Sequence, residues 1–177
     1  MGACLALTIT ACKDSENESK TAMPEPVKKA AVIQEAPMVE LYRTINIAGQ
    51  TWMAKNLNVK TANSYCNQSD DCKANGRLYT WDAAQTACPT GWHLPSVSEA
   101  KAMISKASDF KTAFNATAIG FRKDNGEFLF EDLYEYFWTS EGKKDRGNYW
   151  YWTAKDNSVK WLMGMKSSAL SVRCVKD

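Results

Sequence analysis

Four kinds of side chain in this sequence could do chemistry. His93, the single histidine, stands with Asp82, Glu99 and Glu131 as titratable groups that one pocket could gather for proton transfer. A lone histidine inside Trp92-His93-Leu94-Pro95 more often holds a turn through a hydrogen bond, and that is its reading here. Cys66, Cys72, Cys88 and Cys174 could serve as thiolates, zinc ligands or disulfides. They contain no C-x-x-C pair, which argues against zinc, and an even set behind an apolar, export-like N-terminus argues for two disulfides with three pairings open. Asp70 and Asp71, inside CNQSDDC, form a carboxylate pair without the spacing or turn glycine of a calcium loop, so they read as solvated. Aromatic rings are the fourth kind. Tyr149, Trp150, Tyr151 and Trp152 run consecutively, and with Asp156, Asn157 and Trp161 they make the candidate ligand-binding set, because flat rings stack on sugars while their polar tips hydrogen-bond. The same rings could equally fill a core. No catalytic residue, metal or cofactor is expected.

The elements that must position these groups follow from pattern. Leu41, Ile45 and Ile47 mark an alternating strand, then Ala48-Gly49 makes a tight turn and QTWMAKNL returns with Trp52 and Met53, a β-hairpin. Trp81, Ala84 and Cys88 fall on one helical stripe that Pro89 and Gly91 end. Ser96 and Glu99 have the spacing of a capping box, opening a second helix with Ala100, Met103, Ile104 and Ala107 inward. Strands follow: residues 116–122 and 127–130 around Asp124-Asn125-Gly126, a strong hairpin signal, then YFWT as a buried strand. EGKKDRG, residues 141–147, reads as a charged loop. In the strand after it, alternation puts Tyr149 and Tyr151 on one side and Trp150 and Trp152 on the other, so either both faces are covered or one is an open aromatic platform. Residues 159–165 return with Trp161, and LSVRCV closes the chain as a strand.

Bulk properties narrow the function. The formal charge is +2, from 22 basic and 20 acidic residues among 177, too even a balance to suggest a nucleic-acid partner. Length allows one domain plus appendages. Residues 1–12 are apolar and end in Ile9-Thr10-Ala11-Cys12, which resembles the lipobox of bacterial lipoproteins; cleavage would leave Cys12 as the lipidated N-terminus. The run is shorter than the roughly 20 residues a membrane span needs and lacks a basic n-region. No Asp follows Cys12, which implies the outer membrane, and KDSENE is similar to acidic surface-export tags. Residues 13–39, rich in charge, Ala and Pro, read as a disordered tether with a mean reach of about 30 Å. The folded domain is expected over residues 40–177.

The order QTWMAKNLN, GRLYTWDAAQTACPTGWHLPS, a Gly120-Phe121-Arg122 strand, YFWTSE and SVRCVKD resembles the Fibrobacter succinogenes major paralogous domain, a family of bacterial surface lipoproteins, over about residues 47–177. A broader likeness is to C-type-lectin-like domains and to the formylglycine-generating sulfatase-modifying domain, whose Arg-Leu-Pro turn resembles His93-Leu94-Pro95. The resemblance implies an α+β, disulfide-linked C-type-lectin-like domain with two helices and short antiparallel β-sheets. It pairs the helix-borne Cys88 with Cys174 and leaves Cys66 with Cys72 as a short local bridge. The Glu-Pro-Asn or Gln-Pro-Asp triplet and the Trp-Asn-Asp run of calcium-dependent lectins do not occur here, and the reactive cysteine pair of the sulfatase-modifying enzymes has no counterpart. The implied function is a non-enzymatic, surface-anchored binding or adhesion lipoprotein that recognises a polysaccharide or surface protein without calcium. The alternative is an enzyme related to the sulfatase-modifying factors.

Overall fold

The computed structural model describes residues 42–67 and 72–177. Cys12 and its apolar run, the tether over residues 13–39, residue 40 as domain start, Leu41, and the Asp70 and Asp71 pair lie outside the described residues. What is described is a small, mostly β, α+β fold carrying two disulfides. β1 (Thr44–Ile47) and β2 (Gln50–Met53) form the expected hairpin across Ala48 and Gly49. Next come β3 (Ser64–Tyr65), β4 (Leu78–Thr80), α1 (Trp81–Ala87), β5 (Trp92–His93), α2 (Val97–Lys106) and α3 (Phe110–Phe114). The C-terminal half is β6 (Ile119–Arg122), β7 (Phe128–Glu131), β8 (Tyr134–Lys143), β9 (Arg146–Thr153), β10 (Val159–Met165), β11 (Ala169–Ser171) and β12 (Val175–Lys176).

Local chemistry explains the helix starts. Thr80 caps α1 by accepting from the Ala83 N–H, and Ser96 with Glu99 forms the expected capping box on α2. The Glu141 carboxylate adds to that end, accepting from the Val97 N–H at 2.8 Å. The expected pair of helices becomes three, because Phe110 and Phe114 lie one turn apart, bury together, and are followed by Asn115 in the left-handed region at φ 49°.

Two further expectations are corrected. Residues 141–147 are a hairpin rather than a loop: β8 runs to Lys143, β9 starts at Arg146, and only Lys144 and Asp145 turn. LSVRCV is not one strand either. β11 joins the larger sheet, residues 172–174 cross over, and β12 joins the smaller one.

The smaller sheet has the order β1-β2-β12-β5, and the larger has β10-β9-β8-β6-β11-β4-β3 with β7 paired to β6. One core cluster gathers Met53, Tyr79, Ala84, Trp92, Trp138 and Val172 around α1. The other gathers Trp52, Met103, Phe110, Phe114, Phe137 and Trp150, where α2 and α3 pack on the tryptophan face of β8 and β9. Both expected disulfides are present, Cys66 to Cys72 and Cys88 to Cys174.

Candidate functional site

The alternation along β9 is as expected, and its two faces have different fates. Trp150 and Trp152 are 1% and 2% exposed, with Trp150 stacked on Phe137 at 4.2 Å and edge-on to Phe110 and Phe114. Their rings belong to the core, and as ligand-binding residues they are withdrawn: α2 and α3 cover the face they occupy. The tyrosine face stays partly open. Tyr149 and Tyr151 are half-buried, and β8 sets Tyr136 opposite Tyr151 and Trp138 opposite Tyr149. Tyr136 stacks on Tyr151 at 5.3 Å and meets Tyr149 and Phe121 edge-on at 5.8 and 5.1 Å.

All of these rings except Tyr151 line a half-open cleft of about 300 Å³. Phe121, Tyr136, Trp138 and Tyr149 give it an aromatic lining, Met165 and Leu170 add aliphatic surface, and Lys123, Asp124, Arg146 and Ser168 supply polar groups. Gly164 keeps the cleft open at one side: a Cβ there would lie 2.9 Å from the Tyr149 ring. Burial pushes the Tyr136 and Tyr149 hydroxyls above their ordinary range, reinforced by neighbouring tyrosines, so both remain neutral donors at physiological pH. Lys123 is paired with Glu127 at 3.2 Å, while Arg146 donates to the Met163 carbonyl at 3.5 Å. The arrangement suits ring stacking with hydrogen bonding at the rim.

Asp156, Asn157 and Trp161 do not join this cleft. Thr153 and Ser158 donate to the Asp156 carboxylate and hold it at about 2, a closed turn motif. Asn157 accepts from the Trp152 indole at 2.6 Å and donates to Asp109 at 2.7 Å, pinning the β9–β10 turn to the start of α3. Trp161 is half-buried on the opposite face with Lys101 5.5 Å from its ring centre. Of the residues lining the cleft, sequence reasoning named only Tyr149 as ligand-binding; Phe121, Tyr136, Trp138 and Arg146 are among those it missed. The alternation of YEYFW signalled Tyr136, but Arg146 was hidden by a Lys144-Asp145 turn that lacks the Asn-Gly chemistry of such hairpins.

The titratable set is not gathered. Of its members His93 meets Glu99, through Nε2 at 2.9 Å, while its Nδ1 engages Asp177 at 2.7 Å. Desolvation opposes protonation of the ring, yet the hydrogen bonds and charges of Asp177 and Glu99 outweigh it and raise His93 above its ordinary value. With both nitrogens engaged, the ring links β5, α2 and the segment after β12, a structural role. Glu131 lines a separate polar recess, and Asp82 lies in the first turn of α1. Among the described residues no group of three or more His, Cys, Asp or Glu side chains is placed to hold a metal ion.

Neither a curated protein nor a solved structure matches the chain. Residues 45–109 match the family described as the Fibrobacter succinogenes major domain, a span from β1 to the residue before α3. It is shorter than the stretch to Asp177 that the motifs suggest, and every residue lining the tyrosine cleft lies beyond it. The likeness to the Fibrobacter succinogenes major domain family is thus carried by residues 45–109.

Proposed function

We propose that this protein is a non-enzymatic binding module that takes a glycan, or a ring-bearing segment of a surface protein, in the tyrosine cleft without calcium. The observation that carries the reading is the cleft itself: an aromatic floor of Phe121, Tyr136, Trp138 and Tyr149 beneath polar groups from Arg146, Lys123 and Ser168. Ring faces stack on the apolar face of a sugar, and the rim groups orient its hydroxyls. Cys88, the residue that follows α1, joined to Cys174 beside β12 supports a C-type-lectin-like scaffold. The Thr10-Ala11-Cys12 run and the acidic stretch after it support anchorage of that scaffold to the outer face of a bacterial outer membrane by a lipid on Cys12. An enzyme related to the sulfatase-modifying factors is disfavoured, since it would need a reactive thiolate and Cys66, Cys72, Cys88 and Cys174 are all bridged.

The test is a glycan and peptide array probed with the full chain, followed by Tyr149→Ala and Arg146→Ser. Each variant should weaken a captured ligand several-fold, the loss of one ring or rim contact of about 1 kcal/mol. Folded variants that bind every wild-type ligand undiminished would sink the reading. Trp150→Ala and Trp152→Ala cannot serve here, because removing those core rings would unfold the sheet.

A further inference from the structure

A second pair of cavities lies where the residues after β2 meet the end of α3, and its chemistry is unlike that of the tyrosine cleft. The larger, about 440 Å³, is bordered by Arg43, Lys55, Lys73, Asn56 and Asn58 among others. The smaller, about 130 Å³, is bordered by Lys55, Asn56, Asn115, Thr117 and Arg173 among others. Lys55, Asn56 and Ala74 border both, so the recess adjoins the open cleft. Among the described lining residues Arg43, Lys55 and Arg173 bring positive charge and none is a carboxylate, while the buried Glu135 carboxylate lies behind the recess and accepts from Asn56 and the Thr117 N–H.

Arg173 is the unusual member. It is 3% exposed and packs over the Phe114 ring at 4.1 Å, yet it also borders a cavity. Its Nε and Nη2 donate to the Asn56 Oδ1, and its Nη1 donates to the Phe114 carbonyl. Among the described residues those bonds use three of the five guanidinium N–H groups and leave two without a protein acceptor. Asn56 is itself fixed, because its Nδ2 donates to the Glu135 carboxylate at 2.6 Å and its oxygen must then face Arg173. A buried, immobilised guanidinium at the back of a recess, with Lys55 at the front, is preorganised for a planar or tetrahedral oxyanion. At about 30 Å³ per water, the recess has room for roughly four waters, or one carboxylate or sulfate group.

We infer that the recess between Lys55, Asn56, Asn115 and Arg173 is an oxyanion site for the carboxylate or sulfate group of an acidic ligand. Arg173 and Asn56 form its fixed floor and Lys55 its rim. The site is separate from the tyrosine cleft and does not depend on that cleft having a ligand.

The experiment titrates the full chain with sodium sulfate and with sodium glucuronate at constant ionic strength, following side-chain NMR signals of Arg173, Asn56 and Asn115. Saturable shifts confined to these residues and Thr117 are expected for at least one anion. The anion that saturates at lower concentration identifies the group, sulfate or carboxylate. Lys55→Glu, an exposed position that tolerates substitution, should weaken binding on the order of tenfold by replacing a charge-assisted donor with a like charge. Lys155→Glu, an exposed position that borders neither cavity nor the tyrosine cleft, should leave it unchanged. Shifts that never saturate with either anion overturn the assignment, as does Lys55→Glu binding as tightly as wild type.

Discussion

Arg173 and Glu135 bring opposite charges into the interior, and their balance sets much of the local energetics. Burial pushes the Glu135 carboxyl up to about 7, opposed by the charge of Arg173 and by hydrogen bonds from Asn56 and the Thr117 N–H. Burial likewise pushes Arg173 down to about 10, opposed by the Glu135 charge. The guanidinium also lies over the Phe114 ring at 4.1 Å, so it is packed as well as paired. Arg173→Met should cost about 3–5 kcal/mol in urea unfolding at pH 8, because it strands a buried carboxylate. Adding Glu135→Leu to it should recover part of that loss, and additive losses would show that the two charges are not coupled. Since the folded Glu135 value exceeds the unfolded one of 4.5, its contribution is full below about 4.5 and is lost as pH rises through about 7. The sequence offered half of this: alternation puts Glu135 on the same inward face as Phe137, an anomaly for a carboxylate. Its partner lies 38 positions along the chain, and only the tertiary fold brings them together.

The element most misread from sequence is the β8–β9 hairpin, and two glycines explain why it holds. Gly142 and Gly147 pair across the strands, and the indole of Trp81 occupies the space their side chains would fill. A Cβ on Gly147 would lie 2.6 Å from the Trp81 indole nitrogen. That ring also donates to the Thr139 carbonyl at 3.0 Å and carries Lys166 over its face at 3.7 Å, so it has little freedom to retreat. Gly147→Ala should therefore lower stability by about 1–3 kcal/mol in thermal unfolding, the cost of overpacking; an unchanged melting point would mean that Trp81 moves aside freely. In EGKKDRG the charges dominate a sequence reading, whereas the fold uses the glycines as a floor for a ring from α1. By contrast the β1–β2 and β6–β7 hairpins and the α2 cap were legible, because Ala48-Gly49, Asp124-Asn125-Gly126 and Ser96 with Glu99 state their geometry locally. α3 was not, since five residues without a side-chain cap leave little periodic signal.

For the domain as a whole, the bond between Cys88 and Cys174 closes a separation of 86 residues, containing everything from β5 to β11. In the chain-entropy account such a closure contributes roughly 4–5 kcal/mol. Cys88→Ala with Cys174→Ala should lose stability on that scale in urea unfolding, while Cys66→Ala with Cys72→Ala, spanning 6 residues, should lose clearly less. Equal losses would count against the entropic origin. The tyrosine face of the candidate site was legible at the level of alternation, but which face of β9 closes depends on where α2 and α3 dock, and no single stretch of sequence states that.

The order β1-β2-β12-β5 also fixes a path for mechanical load. Tension entering at Tyr42 would first peel β1 from β2 through four residue pairs, opened one after another like a zipper. It would then reach β2, whose Met53 N–H holds the Cys174 carbonyl at 3.0 Å, and there the force passes from hydrogen bonds into the covalent link between Cys174 and Cys88. The first hairpin is thus the compliant part of the fold, and everything beyond β12 is loaded in parallel with a disulfide.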